Sequence, residues 1–309
     1  MQDEQWHLDR QKGIGGSDAS TVLGLNPWKS RLQLWHEKVD KIIPQENNNI
    51  RLKLGNILEP LIAEEFTRKT GRQIESRQQK SHPDYPFIMA NIDREIIKSN
   101  RPSPGIAEFK TRGAFVNWDG DEIPPYYHSQ IQHYMAVYGY NWSSFAVLDF
   151  NKFEVTITDV ERDDKFIENL IEEEKKFWKL IQDKTPPEIE PTKSCEEFLR
   201  EHFNQSEPIT IDISNNEEAT KYADDLKRTK LFKKNIEESE LTCKTFFMDL
   251  MKEAEKAIGN DYTITWKNDK DSTKFDTDKF KFENPELYKK YLEPKKSTRR
   301  FLSKFQKGD

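Results

Sequence analysis

The sequence predicts an α/β core over residues 1–185 and a mostly helical C-terminal region over residues 186–309. Three observations carry that prediction. Helix-like and strand-like segments alternate up to about residue 185; the proline-rich stretch "DKTPPEIEP" then interrupts them; beyond it, charge-rich helical periodicity dominates. The core should be a mixed central sheet flanked by helices.

The elements follow in order. "GIGGSDASTVLGLNPWKS" (13–30) opens as a glycine-rich loop, with Ser17 placed to cap a short helix through Leu23 and "NPWK" forming a turn with proline second. "RLQLWHEKVD" (31–40) and residues 50–70 have helical spacing, and Gly71 suits the left-handed position just past the second helix. "PFIMANIDREII" (86–97) reads as one strand, "KSNRPSPG" as a turn, and "IAEFKT" as the returning strand. An amphipathic helix over 124–140 precedes the strand pair "WSSFAVLDF" and "KFEVTITDV", and a charged helix runs from about 163 to 182. Further on, 215–258 has a helical pattern whose apolar stripe reads as a packing face, followed by the short strand "YTITWK" and a basic tail.

Composition narrows the function. Charged residues make up 34% of the chain and hydrophobic residues another 34%, as in a polar, soluble protein. No apolar run approaches the roughly 18 residues that suggest a membrane span. The first residues, "MQDEQWHLDRQKG", lack the apolar core of a secretory signal. Cys195 and Cys243 are the only cysteines, which excludes a disulfide or zinc framework and suits a reducing compartment, so a cytoplasmic location is expected. The net charge of −6 argues against general affinity for nucleic acid, yet residues 288–307 carry eight Lys or Arg against one acid, Glu293. That tail, with Tyr291, Phe301 and Phe305 among its charges, reads either as a solvated extension or as a phosphate-backbone contact.

The chemistry concentrates in "GIAEFKT" (105–111). Side chains alternate along a strand, so Glu108 and Lys110 share one face. An inward face would need both charges, because an unpaired buried charge costs several kcal/mol or more. Glu-x-Lys alone is a cheap pattern, and Glu173-Glu174-Lys175 also satisfies it. Asp93, inside an apolar strand, is more informative. Antiparallel pairing would bring it to about 5 Å from Glu108 at the Cα level. Two carboxylates at that distance suit a divalent cation such as Mg²⁺, and Lys110 would hold a water or offset phosphate charge. Glu59, in "LEPLIAEE", is a further acid. Strand aspartate, turn and Glu-x-Lys is the PD-(D/E)xK arrangement of metal-dependent nucleases, with Ile92 in the place of the proline; the plain alternative is that Asp93 is a surface residue of an edge strand.

Five segments, in order, resemble those of the YqaJ-type viral recombinases, relatives of phage lambda exonuclease: "GIGGSDASTVLGLNPWKS", "LGNILEPLIAEEF", "MANIDREI", "GIAEFKT" and "YYHSQIQHYMAVYGY". The resemblance implies a PD-(D/E)xK, restriction-endonuclease-like core that degrades the 5′-ended strand of linear double-stranded DNA and leaves 3′ overhangs for recombination by strand annealing. It implies a metal centre of Asp93, Glu108 and the helix-borne Glu59 holding Mg²⁺, with Mn²⁺ able to substitute. Lys110 completes the catalytic set, and Gln130 supports the water or substrate together with Tyr134. Arg10 and Ser17 match the family's 5′-phosphate clamp. Asn91 stands two positions before the aspartate, where such exonucleases can place a hydroxyl residue. Expected partners are DNA ends, a single-strand annealing protein of the RecT or Bet kind, and further copies of the chain in a trimeric ring, in a bacterial host carrying a phage or prophage. An endonuclease, a single-strand-directed nuclease, or a non-catalytic DNA-binding scaffold on the same core are the alternatives.

The six histidines show no paired ligand spacing, and His133 should pack on its helix. Trp28, Trp35 and Trp118 read as core or rim packing rather than as base-stacking residues.

Overall fold

The computed structural model describes residues 9–42, 50–101, 104–113, 122–293 and 299–305. The chain forms two compact units, Met1–Phe203 and Asn204–Asp309. The first therefore runs past the boundary near 185 expected from the prolines. Helices α1 (Gly16–Val22), α2 (Arg31–Val39), α3 (Ile50–Thr70), α4 (Pro125–Tyr138), α5 (Asp164–Gln182) and α6 (Lys193–His202) belong to it. The proline-rich stretch is fastened to α2 through Glu190, whose carboxylate accepts from Arg31 N at 2.7 Å. The α6 rings of Phe198 and His202 then lie 5.3 and 4.5 Å from the ring of His36 on α2.

A five-stranded mixed sheet is the frame: β2 (Gln73–Glu75), β5 (Arg94–Lys98), β6 (Gly105–Arg112), β7 (Trp142–Asp149) and β8 (Glu154–Glu161), in that order. The β6–β7 pair is parallel and the others are antiparallel. On one face, Ile106 and Phe145 pack with Ile131 and Met135 of α4; on the other, Ala107 and Phe109 pack with Ile62 and Phe66 of α3. Gly71 and Gly139 end α3 and α4 in the left-handed region, at φ 68° and 73°.

The predicted single strand over 86–97 is two strands in two sheets. Strand β4 (Ile88–Ala90) pairs with β1 (Ile14–Gly15) and β3 (Lys80–Ser81), whereas β5 joins the large sheet. The chain breaks at Asn91-Ile92-Asp93, where the Asp93 carboxylate accepts from Phe109 N at 2.7 Å and so closes the end of the β5–β6 ladder. Ser17 is also reassigned. The N-cap of α1 is Gly15, whose N–H donates to Asp18 Oδ2 at 3.1 Å, and Ser17 is the helix's second residue.

His133 is fully buried. Its Nδ1 lies 2.7 Å from Glu174 Oε1 and its Nε2 lies 2.9 Å from the Met89 carbonyl. Burial alone would lower its pKa, but Glu174 and the carbonyl outweigh it and hold the imidazole above its usual value. A raised histidine stabilises the fold fully below the unfolded value of about 6.5 and loses that contribution as pH rises through the folded one. Urea midpoints should therefore fall above about pH 6.5, and His133→Gln should flatten that slope.

The second unit contains α7 (Glu217–Met251), the hairpin of β9 (Lys256–Ile258) and β10 (Thr263–Thr265), and the short helices α8 (Thr277–Glu283) and α9 (Pro285–Lys290). Of α7 only Met251 is buried. Phe232, Ile236, Phe246 and Leu250 are exposed, so the stripe expected to be a packing face is open along this helix. Within the basic tail, residues 294–298 and 306–307 lie outside the described residues.

Candidate active site

One cavity of about 480 Å³ gathers eight of the nine residues singled out in the sequence: Arg10, Ser17, Asn91, Asp93, Glu108, Lys110, Gln130 and Tyr134. Strand β6 supplies its floor. Glu108 is 1% exposed, and its Oε1 accepts from Lys110 Nζ at 2.5 Å and from Gln130 Nε2 at 3.0 Å. The same Gln130 amide donates to Tyr134 Oη at 2.8 Å, one turn further along α4. Asp93 hangs from the β4–β5 break at the same end of the sheet.

Burial and then the neighbouring Asp93 push the Glu108 carboxyl up to about 8, against the pull of Lys110. For Lys110, burial acts to lower the pKa, but Glu108 and Asp93 hold the ammonium above the ordinary lysine range. Glu108 Oε2 is buried without a hydrogen-bond partner. A buried carboxylate with a spare oxygen, next to a second carboxylate, fits a hard divalent cation. Glu59 stands apart. It comes from α3, on the opposite face of the sheet, and its Oε1 accepts from Arg94 Nη1 at 2.8 Å. Burial and Asp93 still raise its pKa, so it belongs to the same acidic neighbourhood. Among the described residues no three His, Cys, Asp or Glu side chains converge closely enough to hold a metal ion.

The opposite wall is the N-terminal loop. Arg10 Nη2 donates to Ser17 Oγ at 2.6 Å and to Asp18 Oδ1 at 3.1 Å. Asp18 is buried and pairs with Lys38 Nζ at 2.9 Å, and Lys38 also donates to the Arg10 carbonyl at 2.6 Å. Burial would raise the Asp18 pKa, yet Lys38, Arg10 and Lys29 hold it well below the usual carboxylate range. Sequence reasoning missed Asp18 and Lys38. The signal for Lys38 was its spacing: it follows Leu34 by four and Trp35 by three, which places a lysine on the buried face of α2. Gly16 joins the two walls, since a β-carbon there would lie 2.3 Å from the Tyr134 ring.

Of the tryptophans, Trp35 is buried and donates from Nε1 to the Leu180 carbonyl at 3.1 Å, as packing requires. Trp28 is 65% exposed, outside the core, and Trp118 lies outside the described residues. Among the described residues no helix is long and apolar enough to cross a membrane.

The family model for the YqaJ-like viral recombinase domain matches residues 5–141. The uncharacterized protein YqaJ of Bacillus subtilis (strain 168) is 34% identical over 306 residues, spanning 94% of this chain and 91% of that protein. Among solved structures, the alkaline exonuclease LHK-Exo from Laribacter hongkongensis aligns with a TM-score of 0.51 at 21% identity, over 59% of this chain and 94% of its own. The same exonuclease in complex with dAMP aligns with a TM-score of 0.52, over 65% of this chain and 98% of that one. At that identity the likeness establishes the fold, a PD-(D/E)xK-type α/β core with a mixed sheet.

Proposed function

Because this chain belongs to the YqaJ-like viral recombinase family, we propose that its cavity is the active site of a metal-dependent exonuclease. On this reading it degrades the 5′-ended strand of linear double-stranded DNA and leaves 3′ overhangs for recombination by annealing. The observation that carries the proposal is that one cavity holds both the Arg10–Ser17 pair and the Asp93–Glu108–Lys110 set. An anion-binding wall faces a hydrolytic one.

Asp93 and Glu108 would hold Mg²⁺, or Mn²⁺ in its place. The cation supplies an acidified water and neutralises phosphate charge. Lys110 holds its ammonium toward the scissile phosphate and stays charged throughout. Gln130 donates to the same Glu108 oxygen as Lys110 and lies within hydrogen-bonding distance of Tyr134. Arg10 and Ser17 would bind the terminal 5′-phosphate by charge-assisted hydrogen bonds, with Asn91 as a further donor. Water attacks the phosphorus and the P–O bond to the departing sugar breaks, leaving a new 5′-phosphate on the shortened strand. Glu59, paired here with Arg94, would be the helix-borne acid near a second metal. A trimeric ring and an annealing partner belong to the same proposal.

The test is a linear duplex phosphorylated at one 5′ end, with label on each strand, beside a closed circle. Progressive loss of the phosphorylated strand with Mg²⁺, and an intact circle, is the expected result. Cutting of the circle would make the protein an endonuclease, and no cleavage with any divalent metal would leave a DNA-binding scaffold. Arg10→Ala should reduce the preference for phosphorylated over hydroxyl ends roughly tenfold or more, since a hydrogen bond to a charged group contributes about 1.5–3 kcal/mol. Competition between the two ends in one reaction reads that ratio.

A further inference from the structure

We propose that Trp28 and Tyr126 form a stacking platform for a DNA base at the mouth of this cavity, an inference that rests on the nuclease reading. A single exposed apolar residue is ordinary on a protein surface and would carry nothing alone. Trp28 differs in how it is held. Pro27 restricts the backbone before it, and Asn26 Oδ1 accepts from both Trp28 N and Lys29 N, at 2.9 and 3.2 Å. Asn26 is fixed in turn, donating from Nδ2 to Oγ1 of the buried Thr21 at 3.0 Å. The indole is thus presented on a turn braced from inside the core.

Among the described residues its ring neighbour is Tyr126. Tyr126 meets it edge to face, with centroids 4.9 Å apart and planes at 75°. That arrangement holds the indole upright while 65% of the residue stays open to solvent. The rings then lead inward. Tyr126 contacts Tyr127 at 4.6 Å, and the Tyr127 ring lies 5.6 Å from Lys110 Nζ. On the other side, Lys29, the residue after Trp28, lines the cavity wall. An aromatic path therefore runs from the catalytic lysine to the surface beside a wall carrying Arg10 and Lys29, the latter paired with Glu37 at 2.5 Å.

A nucleic-acid strand is the ligand that alternates phosphates with flat π surfaces, and it matches cations beside rings. Stacking accepts every base, which suits an enzyme that removes nucleotides regardless of sequence. The occupant is thus a base of the DNA strand whose backbone enters the cavity.

The experiment compares wild type with Trp28→Ala, Trp28→Phe and Trp28→Leu, using a 5′-phosphorylated duplex and a single-stranded 12-mer. Binding is read in EDTA by tryptophan fluorescence and by anisotropy of labelled DNA, and cleavage is read with Mg²⁺. DNA should quench wild-type fluorescence, and Trp28→Ala should lose most of that quench and bind at least about fivefold more weakly. The KM should rise with the Kd while kcat stays within about twofold. Phenylalanine should restore binding, and leucine, apolar without a π face, should not. Wild-type affinity in Trp28→Ala, or full rescue by leucine, would overturn the platform while leaving the nuclease standing. A wild type that neither binds nor cuts DNA would overturn both.

Discussion

Alanine at Lys110 should slow phosphodiester cleavage by roughly 10²- to 10³-fold, the loss seen when one preorganised electrostatic donor is removed from an active site. Lys110 lies 2.5 Å from Glu108 Oε1, and Glu108 and Asp93 hold its ammonium above the ordinary lysine range. Glu108→Gln should be as damaging to activity. A carboxyl pushed up to about 8 destabilises the fold increasingly as pH rises from the unfolded value near 4.3 toward 8. Glutamine keeps the shape and removes that penalty but also takes from Lys110 its closest anion, so the variant's melt should depend less on pH than the wild type's between about 4.3 and 8. Single-turnover cleavage of an end-labelled duplex, beside a thermal melt of each variant, reads both effects. Full cleavage by Lys110→Ala would remove this residue from the chemistry.

Lys38→Met should be the most destabilising substitution at the site, by about 3–5 kcal/mol, because it leaves a buried carboxylate short of its partner. The side chains of Lys38 and Asp18 are 4% and 3% exposed, and the pair is 2.9 Å apart. That loss is a large share of the roughly 5–15 kcal/mol typical of a folded domain. Asp18→Asn combined with Lys38→Met should recover part of it, as expected when both charges leave together. The depressed Asp18 pKa means that its contribution is present above the unfolded value of about 3.9 and fades as pH falls toward the folded one. Urea unfolding at pH 7 and at pH 3 should therefore separate wild type from Lys38→Met more at the first than at the second, with part of the difference surviving at pH 3. An unchanged midpoint at pH 7 would make the pair a bystander. Arg10 should also suffer, since Lys38 and Asp18 hold its carbonyl and guanidinium.

Strand β6 was legible because its charges break an apolar alternation at two positions on one face, and the glycines after α3 and α4 were legible because a left-handed residue must follow each helix. The break between β4 and β5 was hidden. Residues 86–97 are apolar without interruption except for Asn91 and Asp93-Arg94-Glu95, and the break depends on Asp93 reaching the Phe109 amide of another strand. No local window contains that bond. Glu59 could be assigned to a helix near the acids, but its pairing with Arg94 is a tertiary fact. The cap of α1 was misplaced because a serine competes well for that role, and here Asp18 meets the Gly15 amide instead. The stripe of α7 has the right period for packing, and periodicity does not say whether a surface faces it. Trp28 shows the same limit, since tryptophan is most often interior and only the Asn26 bracing distinguishes a ring held outward.

Gly16 has a metrological meaning. With its backbone against the Tyr134 ring, too close for even one extra carbon, the loop that would seat a chain end and the helix that steadies the acids touch without slack. Such a contact acts as a gauge block. On the exonuclease reading, this contact fixes how far the end-binding wall stands from the acids.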